Sequence, residues 1–186
     1  GIGMNTVRVY LHYLLHLQDA EGFLNRLDLF LQIADKHKIK PLLVLFDSVW
    51  DPFPRLGKQR DPQPGVHNSG WVQNPGKAAL LDSTQYPRLE AYTKAVISRF
   101  AHDERVLGWD LWNEPENMNN EHYRKMEDPS KPEIVFELLK LVYVWARSQN
   151  PQQPITVGLW DGDWYAPEKL KPIETLMVTE SDVISF

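Results

Sequence analysis

The chain has 186 residues, of which 42% are hydrophobic and 24% are charged, a composition typical of one globular domain with a sizeable core. Its net charge of −5 is spread along the sequence without a basic run, which argues against a surface that binds nucleic acid. The absence of cysteine excludes disulfides and thiolate metal sites. We therefore expect a single domain over residues 1–186.

No apolar run is long enough to cross a bilayer, so we expect no membrane contact. The first residues, Gly1-Ile2-Gly3-Met4-Asn5, lack the basic and apolar parts of a signal peptide and resemble the interior of a protein. The cellular location stays unknown, although secretion or export to a periplasm is compatible with a longer parent protein.

The first elements are a strand, a helix and a second strand. Residues 5–12 alternate between apolar and polar side chains, which predicts a strand with one polar face. From Glu21 to about His37 apolar residues recur at helical spacing. A continuous apolar run at residues 41–46 predicts a strand buried on both faces, with Asp47 at its carboxyl end.

A long loop follows this second strand. Residues 48–81 are rich in proline and glycine and contain Trp50 and Trp71, so regular structure cannot extend throughout. Loops of this length are usually functional or disordered, and the aromatic rings favour a function.

The second half of the chain repeats the alternation of helix and strand. Pro87 starts a predicted helix, residues 105–112 predict a strand, and a loop continues to Asp128. Ser130 and Glu133 have the spacing of a capping box for the next helix.

Three further elements complete the chain. Residues 154–160 predict a strand, residues 167–176 a short helix, and residues 182–186 the start of a fifth strand. Strands that alternate with helices indicate a parallel sheet. The strand-to-helix connections are long and rich in polar or aromatic residues, so the site is expected at the carboxyl ends of the strands.

The alternation within the strands places polar side chains inside a barrel and apolar ones toward the helices. Arg8, Asp110, Glu114 and Trp160 belong to the inward set, and Asp47 ends a strand. These polar groups are therefore expected to converge near one rim.

Two motifs resemble a known family. Asn5-Thr6-Val7-Arg8 on one strand and Trp112-Asn113-Glu114-Pro115 at the end of another resemble the clan A glycoside hydrolases, closest to the cellulase-like family 5. The resemblance covers essentially the whole chain and implies an α/β fold, the (β/α)8 TIM barrel of retaining glycosidases. It implies that residues 1–186 are a partial catalytic domain with about five parallel strands, from the family's second strand to the start of its sixth.

By this resemblance, Glu114 is the general acid/base, Asn113 binds the sugar 2-hydroxyl, and Arg8 orients the carboxylate of the nucleophile. The alternatives are a helix-cap carboxylate for Glu114, a turn-forming role for Asn113, and an ion pair of Arg8 with Asp110 or Asp47. The family's nucleophilic glutamate has no counterpart here and is expected beyond Phe186.

Glu180 follows apolar residues as the nucleophile of the family does, but its spacing from residues 154–160 fits the sixth strand better. We therefore do not predict it to be the nucleophile.

Several side chains are candidates for substrate binding, either as ring platforms or as partners for hydroxyl groups. The candidate platforms are Trp50, Trp71, Trp160 and Trp164, and the candidate hydroxyl partners are Asp47, Asp161 and His12. The alternative for the rings is packing against the barrel rim. The family often has a histidine where this chain has Asp47-Ser48, which puts that subsite in doubt.

We expect no cofactor and no metal. His12 and His16 straddle a strand end and lack a third ligand, and Asp161-Gly162-Asp163 lacks the remaining ligands of a calcium loop.

The sequence thus predicts a retaining hydrolase that acts on a carbohydrate of the β-glucan, mannan or xylan class. The alternative is a non-catalytic carbohydrate-binding or structural partial barrel. An open sheet of about five strands would expose its edges, so the isolated segment is expected to associate.

Overall fold

A computed structural model of the chain describes residues 3–162 and 166–186 and contains a four-stranded parallel sheet in the order β1-β2-β3-β4. The strands are Thr6–Tyr10 (β1), Lys40–Asp47 (β2), Gly108–Asn113 (β3) and Ile155–Gly158 (β4). Each strand overlaps a predicted one, and neighbouring strands are joined through helices. The predicted α/β architecture with parallel strands is therefore confirmed.

The helices of the described ranges are Tyr13–Gln18 (α1), Ala20–Lys36 (α2), Lys77–Leu81 (α3), Tyr86–Phe100 (α4), Glu121–Arg124 (α5), Lys131–Arg147 (α6) and Pro172–Glu180 (α7), with 3₁₀ turns at Ser83–Gln85 and Pro167–Lys169. None of these helices is both long and apolar enough to cross a membrane. The single turn α5 lies in a stretch predicted as loop, because one turn is too short to show a periodic pattern.

The core lies between the sheet and the long helices α2, α4 and α6. Trp109 and Leu111 of β3 and Val157 of β4 are fully or almost fully buried there, as their alternation predicts. Val7, also expected to face helices, is 42% exposed because β1 forms an edge of the described sheet. Association through strand edges stays a prediction.

The capping box predicted at Ser130 is wrong. Ser130 is itself helical, and both its hydroxyl (2.7 Å) and its backbone N–H (3.1 Å) donate to Asp128 Oδ1. Asp128 therefore holds the turn into α6, while Glu133 lies in the first turn, where its charge favours the helix dipole.

Residues 182–186 run beside β4 but pair with it only briefly. Gly158 and Ser185 form one parallel bridge, and the N–H of Leu159 donates to the carbonyl of Ser185 at 2.9 Å. The fifth strand is thus present at the predicted position as a bridge and not as a full strand.

Candidate active site

The strands β2 and β3 end side by side, and their last residues, Asp47 and Asn113, are paired in register. Asn113 Nδ2 donates to Asp47 Oδ1 at 3.0 Å, and Trp71 Nε1 donates to Asp47 Oδ2 at 2.5 Å. Three candidate residues, 24 to 66 positions apart in the chain, therefore meet at the carboxyl end of the sheet.

Asp47 is only 3% exposed. Burial raises its pKa to about 6, although the hydrogen bonds from Asn113 and Trp71 favour the ionised form. These hydrogen bonds let Asp47 orient Asn113 and Trp71. Contact of Asp47 with a sugar hydroxyl stays a prediction.

Glu114 follows β3 directly and has a left-handed backbone, with φ of 50°. Its N–H donates to the carbonyl of Gly158 at 2.7 Å, and its Oε2 accepts from Asn117 Nδ2 at 2.8 Å. A left-handed non-glycine residue costs about 1–3 kcal/mol and persists only where its surroundings hold it. Here the end of β4 and the turn to Asn117 do so.

Burial raises the pKa of Glu114, whereas the Asn117 hydrogen bond and the charge of Arg8 lower it. The charge of Glu114 in turn raises the pKa of Asp47 and of Glu116. A carboxyl group with a raised pKa keeps its proton closer to neutral pH, as a general acid requires.

Arg8 and Asp110 form an ion pair inside the sheet, one of the alternatives considered from the sequence. Arg8 Nε donates to Asp110 Oδ2 at 2.9 Å, and Nη2 donates to the same oxygen. The side chain of Asp110 is fully buried and that of Arg8 is 31% exposed. A role of Arg8 toward a nucleophile stays a prediction.

The absence of a side chain at Gly158 leaves space for the Arg8 guanidinium, because a Cβ at this position would lie 2.4 Å from Arg8 Nη2. We expect Gly158→Ala to displace the guanidinium from Asp110 and to lower the free energy of unfolding by about 1–3 kcal/mol, measured by urea denaturation. Gly70→Ala is the control, since its nearest atom is 3.6 Å away. Equal losses in the two variants would contradict this role.

Glu116 is a site residue that the sequence analysis missed. Its Oε1 accepts the N–H groups of Trp160 at 2.5 Å and Asp161 at 3.4 Å, which ties the loop after β4 to the loop after β3. Burial raises its pKa to about 6. The one feature of the sequence that could have pointed to Glu116 is its position, two residues after Glu114.

The pKa of Glu116 predicts a pH dependence of stability. The pKa of about 6 lies above the ordinary 4.5, so the folded chain binds the proton more tightly than the unfolded chain. The free energy of unfolding therefore decreases as the pH rises from about 4.5 to 6. We expect Glu116→Gln, which keeps an acceptor for both N–H groups, to remove up to about 2 kcal/mol of this decline. Unfolding free energies measured across this range test it.

The matched control is Glu168→Gln, the same change at an exposed side chain. A decline of unchanged size in Glu116→Gln would overturn the assignment.

Trp160 lies just after β4, not within it as predicted, and is 52% exposed. Its ring is therefore available to a ligand at the rim. Asp161 is exposed and its Oδ1 accepts the N–H of Gly162 at 2.8 Å. Trp164 lies outside the described residues.

Trp50 lies in a buried polar network between the loops after β2 and β3. Its carbonyl accepts from Gln73 Nε2 and from Asn119 Nδ2, each at 3.1 Å. Glu127 Oε1 accepts from Gln73 Nε2 at 2.8 Å and from Lys131 Nζ at 2.7 Å. Apart from Trp50, the members of this network have no characteristic spacing in the sequence and were not predicted.

An open cavity of about 390 Å³ lies beside Trp50, between the same two loops. It is lined by Trp50, Arg60, Gln63, Val66, His67, Ser69, Asn120, His122 and Tyr123. A second cavity of about 280 Å³ shares Arg60, His122 and Tyr123 with it. Rings and amides of this kind suit a sugar.

The structure corrects the prediction for His12. Its Nδ1 accepts the N–H of Leu14 at 3.2 Å, which caps α1, and its Nε2 lies 3.1 Å from the carbonyl of Gln73. Burial lowers its pKa to about 4. Both ring nitrogens are used by the backbone, so His12 has no free nitrogen for a sugar hydroxyl.

Glu180 ends the helix α7 and is exposed, and its carbonyl accepts from Arg147 Nη2 at 2.8 Å. Glu180 therefore does not end a strand, as the nucleophile of the family does, which agrees with the prediction that it is not the nucleophile. Within residues 3–162 and 166–186 no three histidine or acidic side chains are grouped to hold a metal.

No family model matches the chain. Over 111 residues, 56% of this chain and 26% of the relative, it is 30% identical to mannan endo-1,4-beta-mannosidase A of Emericella nidulans. It is 33% identical over 96 residues to the probable mannan endo-1,4-beta-mannosidase A-1 of Aspergillus terreus, covering 52% of this chain and 22% of that protein. The chain thus spans at most 26% of the length of these curated relatives.

Two solved structures are similar in fold. A beta-1,4-D-mannanase from Cryptopygus antarcticus matches with a TM-score of 0.53, and the virulence factor SghA from Agrobacterium tumefaciens with 0.54. Each match covers 84% of this chain at 14% identity, and 46% and 33% of the respective structures. The resemblance to family 5 glycoside hydrolases is confirmed. The sheet is accordingly part of the (β/α) barrel that this family resemblance implies, with Glu114 at the carboxyl end of a strand.

Proposed function

We propose that the chain carries the acid/base half of a retaining glycoside hydrolase that cleaves β-mannan, with Glu114 as general acid/base. The observation that carries this proposal is the position of Glu114 at the carboxyl end of β3, beside Asn113 and with its carboxyl group partly buried. The similarity to mannan endo-1,4-beta-mannosidases favours mannan among the three predicted substrate classes.

The mechanism has two proton transfers at one carboxyl group. Protonated Glu114 gives its proton to the glycosidic oxygen while a second carboxylate attacks the anomeric carbon and the C–O bond breaks. Ionised Glu114 then takes a proton from the water that displaces this carboxylate. Such carboxyl groups lie about 5 Å apart, and the family resemblance implies that a later strand of the barrel carries the second.

Neighbouring residues have supporting roles in this proposal. Asn113 donates one N–H to Asp47, which leaves its Oδ1 and its second N–H for a sugar hydroxyl. The exposed ring of Trp160 offers a platform for a pyranose, and Trp50 offers another in the cavity beside it.

The test uses the longest natural chain that contains residues 1–186. We expect it to release reducing sugar from β-mannan faster than from β-glucan or xylan, and NMR should show the β anomer as the first product. Binding of mannan without hydrolysis would favour the non-catalytic alternative. A first product with the α configuration would overturn the retaining mechanism.

A further inference from the structure

Asn117 holds the carboxyl group of Glu114 in one orientation. Its Nδ2 donates to Glu114 Oε2 at 2.8 Å, and its own N–H donates to the carbonyl of Glu114 at 3.0 Å. Its Oδ1 accepts the backbone N–H of Asn119 at 2.7 Å. Because a backbone N–H can only donate, this last bond identifies Oδ1 and leaves only the N–H group for Glu114.

The partner of Asn117 is itself fixed. Asn119 is 5% exposed and left-handed, with φ of 56°, and its Nδ2 donates to the carbonyl of Trp50 and to Glu127. Asn117 is 8% exposed. A reversal of the Asn117 amide would therefore break both of its bonds inside a packed turn.

We propose that Asn117 is a positioning residue that gives the two oxygens of Glu114 different tasks. Oε2 accepts from Asn117 throughout, and Oε1 carries the catalytic proton. A proton on Oε2 would face an N–H that cannot accept it, so the proton resides on Oε1. It passes from Oε1 to the glycosidic oxygen in the first step, and Oε1 receives a proton from water in the second. This inference rests on the proposed function of Glu114.

Other groups also act on Glu114 and must be kept constant in a test. They are Arg8 and Tyr10 on β1, Asp47 at the end of β2, and Glu116 in the same loop. The hydrogen bond from Asn117 favours the ionised carboxylate, so its loss must raise the pKa of Glu114.

Asn117→Asp separates this role from a structural one. The aspartate keeps an oxygen for the N–H of Asn119, and so keeps the turn, but replaces the donor to Glu114 with an acceptor. We expect the alkaline limb of kcat/KM for mannan, which reports the free enzyme's acid, to move upward by about 1 pH unit or more. Asn117→Ala should shift it in the same direction and also destabilise the turn.

A second readout does not depend on activity. A ¹³C NMR titration of the Glu114 carboxyl group, assigned by its loss in Glu114→Gln, should show the same upward shift in Asn117→Asp. Asn25→Ala, an exposed change on α2, should alter neither measurement. An unchanged Glu114 titration in Asn117→Asp would overturn the role of Asn117. Failure of the wild type to hydrolyse mannan would overturn the proposed function and the catalytic task of Oε1, but not the orientation of Glu114 by Asn117.

Discussion

Glu114→Gln should slow the hydrolysis of mannan by about 10²–10⁴-fold, the usual contribution of a general acid/base. The carboxamide cannot supply a proton to the glycosidic oxygen or take one from water. Its oxygen can still accept the N–H of Asn117, so the turn after β3 should stay folded. The measurement is kcat/KM for mannan in the longest natural chain that contains residues 1–186.

The leaving group separates this loss from a general defect. A dinitrophenyl β-mannoside needs no proton for departure, so Glu114→Gln should release a burst of dinitrophenolate and then turn over slowly. Glu168→Gln, on the exposed surface, is the control with wild-type rates. If Glu114→Gln and wild type cleaved mannan equally well, Glu114 would not be the acid/base.

Lys131→Met should lower the free energy of unfolding by about 3–5 kcal/mol, because it leaves the carboxylate of Glu127 buried without its cation. The side chains of Lys131 and Glu127 are 3% and 2% exposed. Lys131 Nζ also donates to the carbonyl of Ser48 at 2.8 Å, so the change removes a link between α6 and the loop after β2. Thermal unfolding should shift downward by on the order of 10 °C.

Two comparisons test the cause of this loss. Lys140→Met removes an exposed pair with Glu137, with side chains 41% and 68% exposed, and should cost less than about 1 kcal/mol. The double change Glu127→Gln with Lys131→Met should recover part of the stability, because the buried charge is gone. Similar losses in Lys131→Met and Lys140→Met would argue against a buried pair.

The strands and long helices were predictable because their patterns are local. Alternation over residues 5–12 and the apolar run before Asp47 overlap β1 and β2. Ser130 shows the limit of such patterns, because Asp128, two positions earlier, accepts the backbone N–H of Ser130 that the Glu133 side chain of a capping box would accept. A spacing rule cannot rank two acceptors that are both within reach.

Side-chain partners that are distant in sequence were not predictable. His12 was predicted at the rim, but the carbonyl of Gln73, 61 positions later, occupies one of its ring nitrogens. Glu116 and Asn117 carry no signal beyond their residue types, and their roles come from the N–H groups that the turn after Glu114 and the loop after β4 bring to them.

The order of strands and helices, the face with the long loops, and the motif containing Asn113 and Glu114 could all be read from the sequence, since they are properties of neighbouring residues. The groups that hold Asn113 and Glu114 in place became evident only from the folded chain. Asp47 lies 66 positions from Asn113, and Gly158 lies far along the chain from Glu114, yet both are within hydrogen-bond distance. Hydrogen bonds act over about 3 Å in space, and the parallel sheet alone makes those positions neighbours.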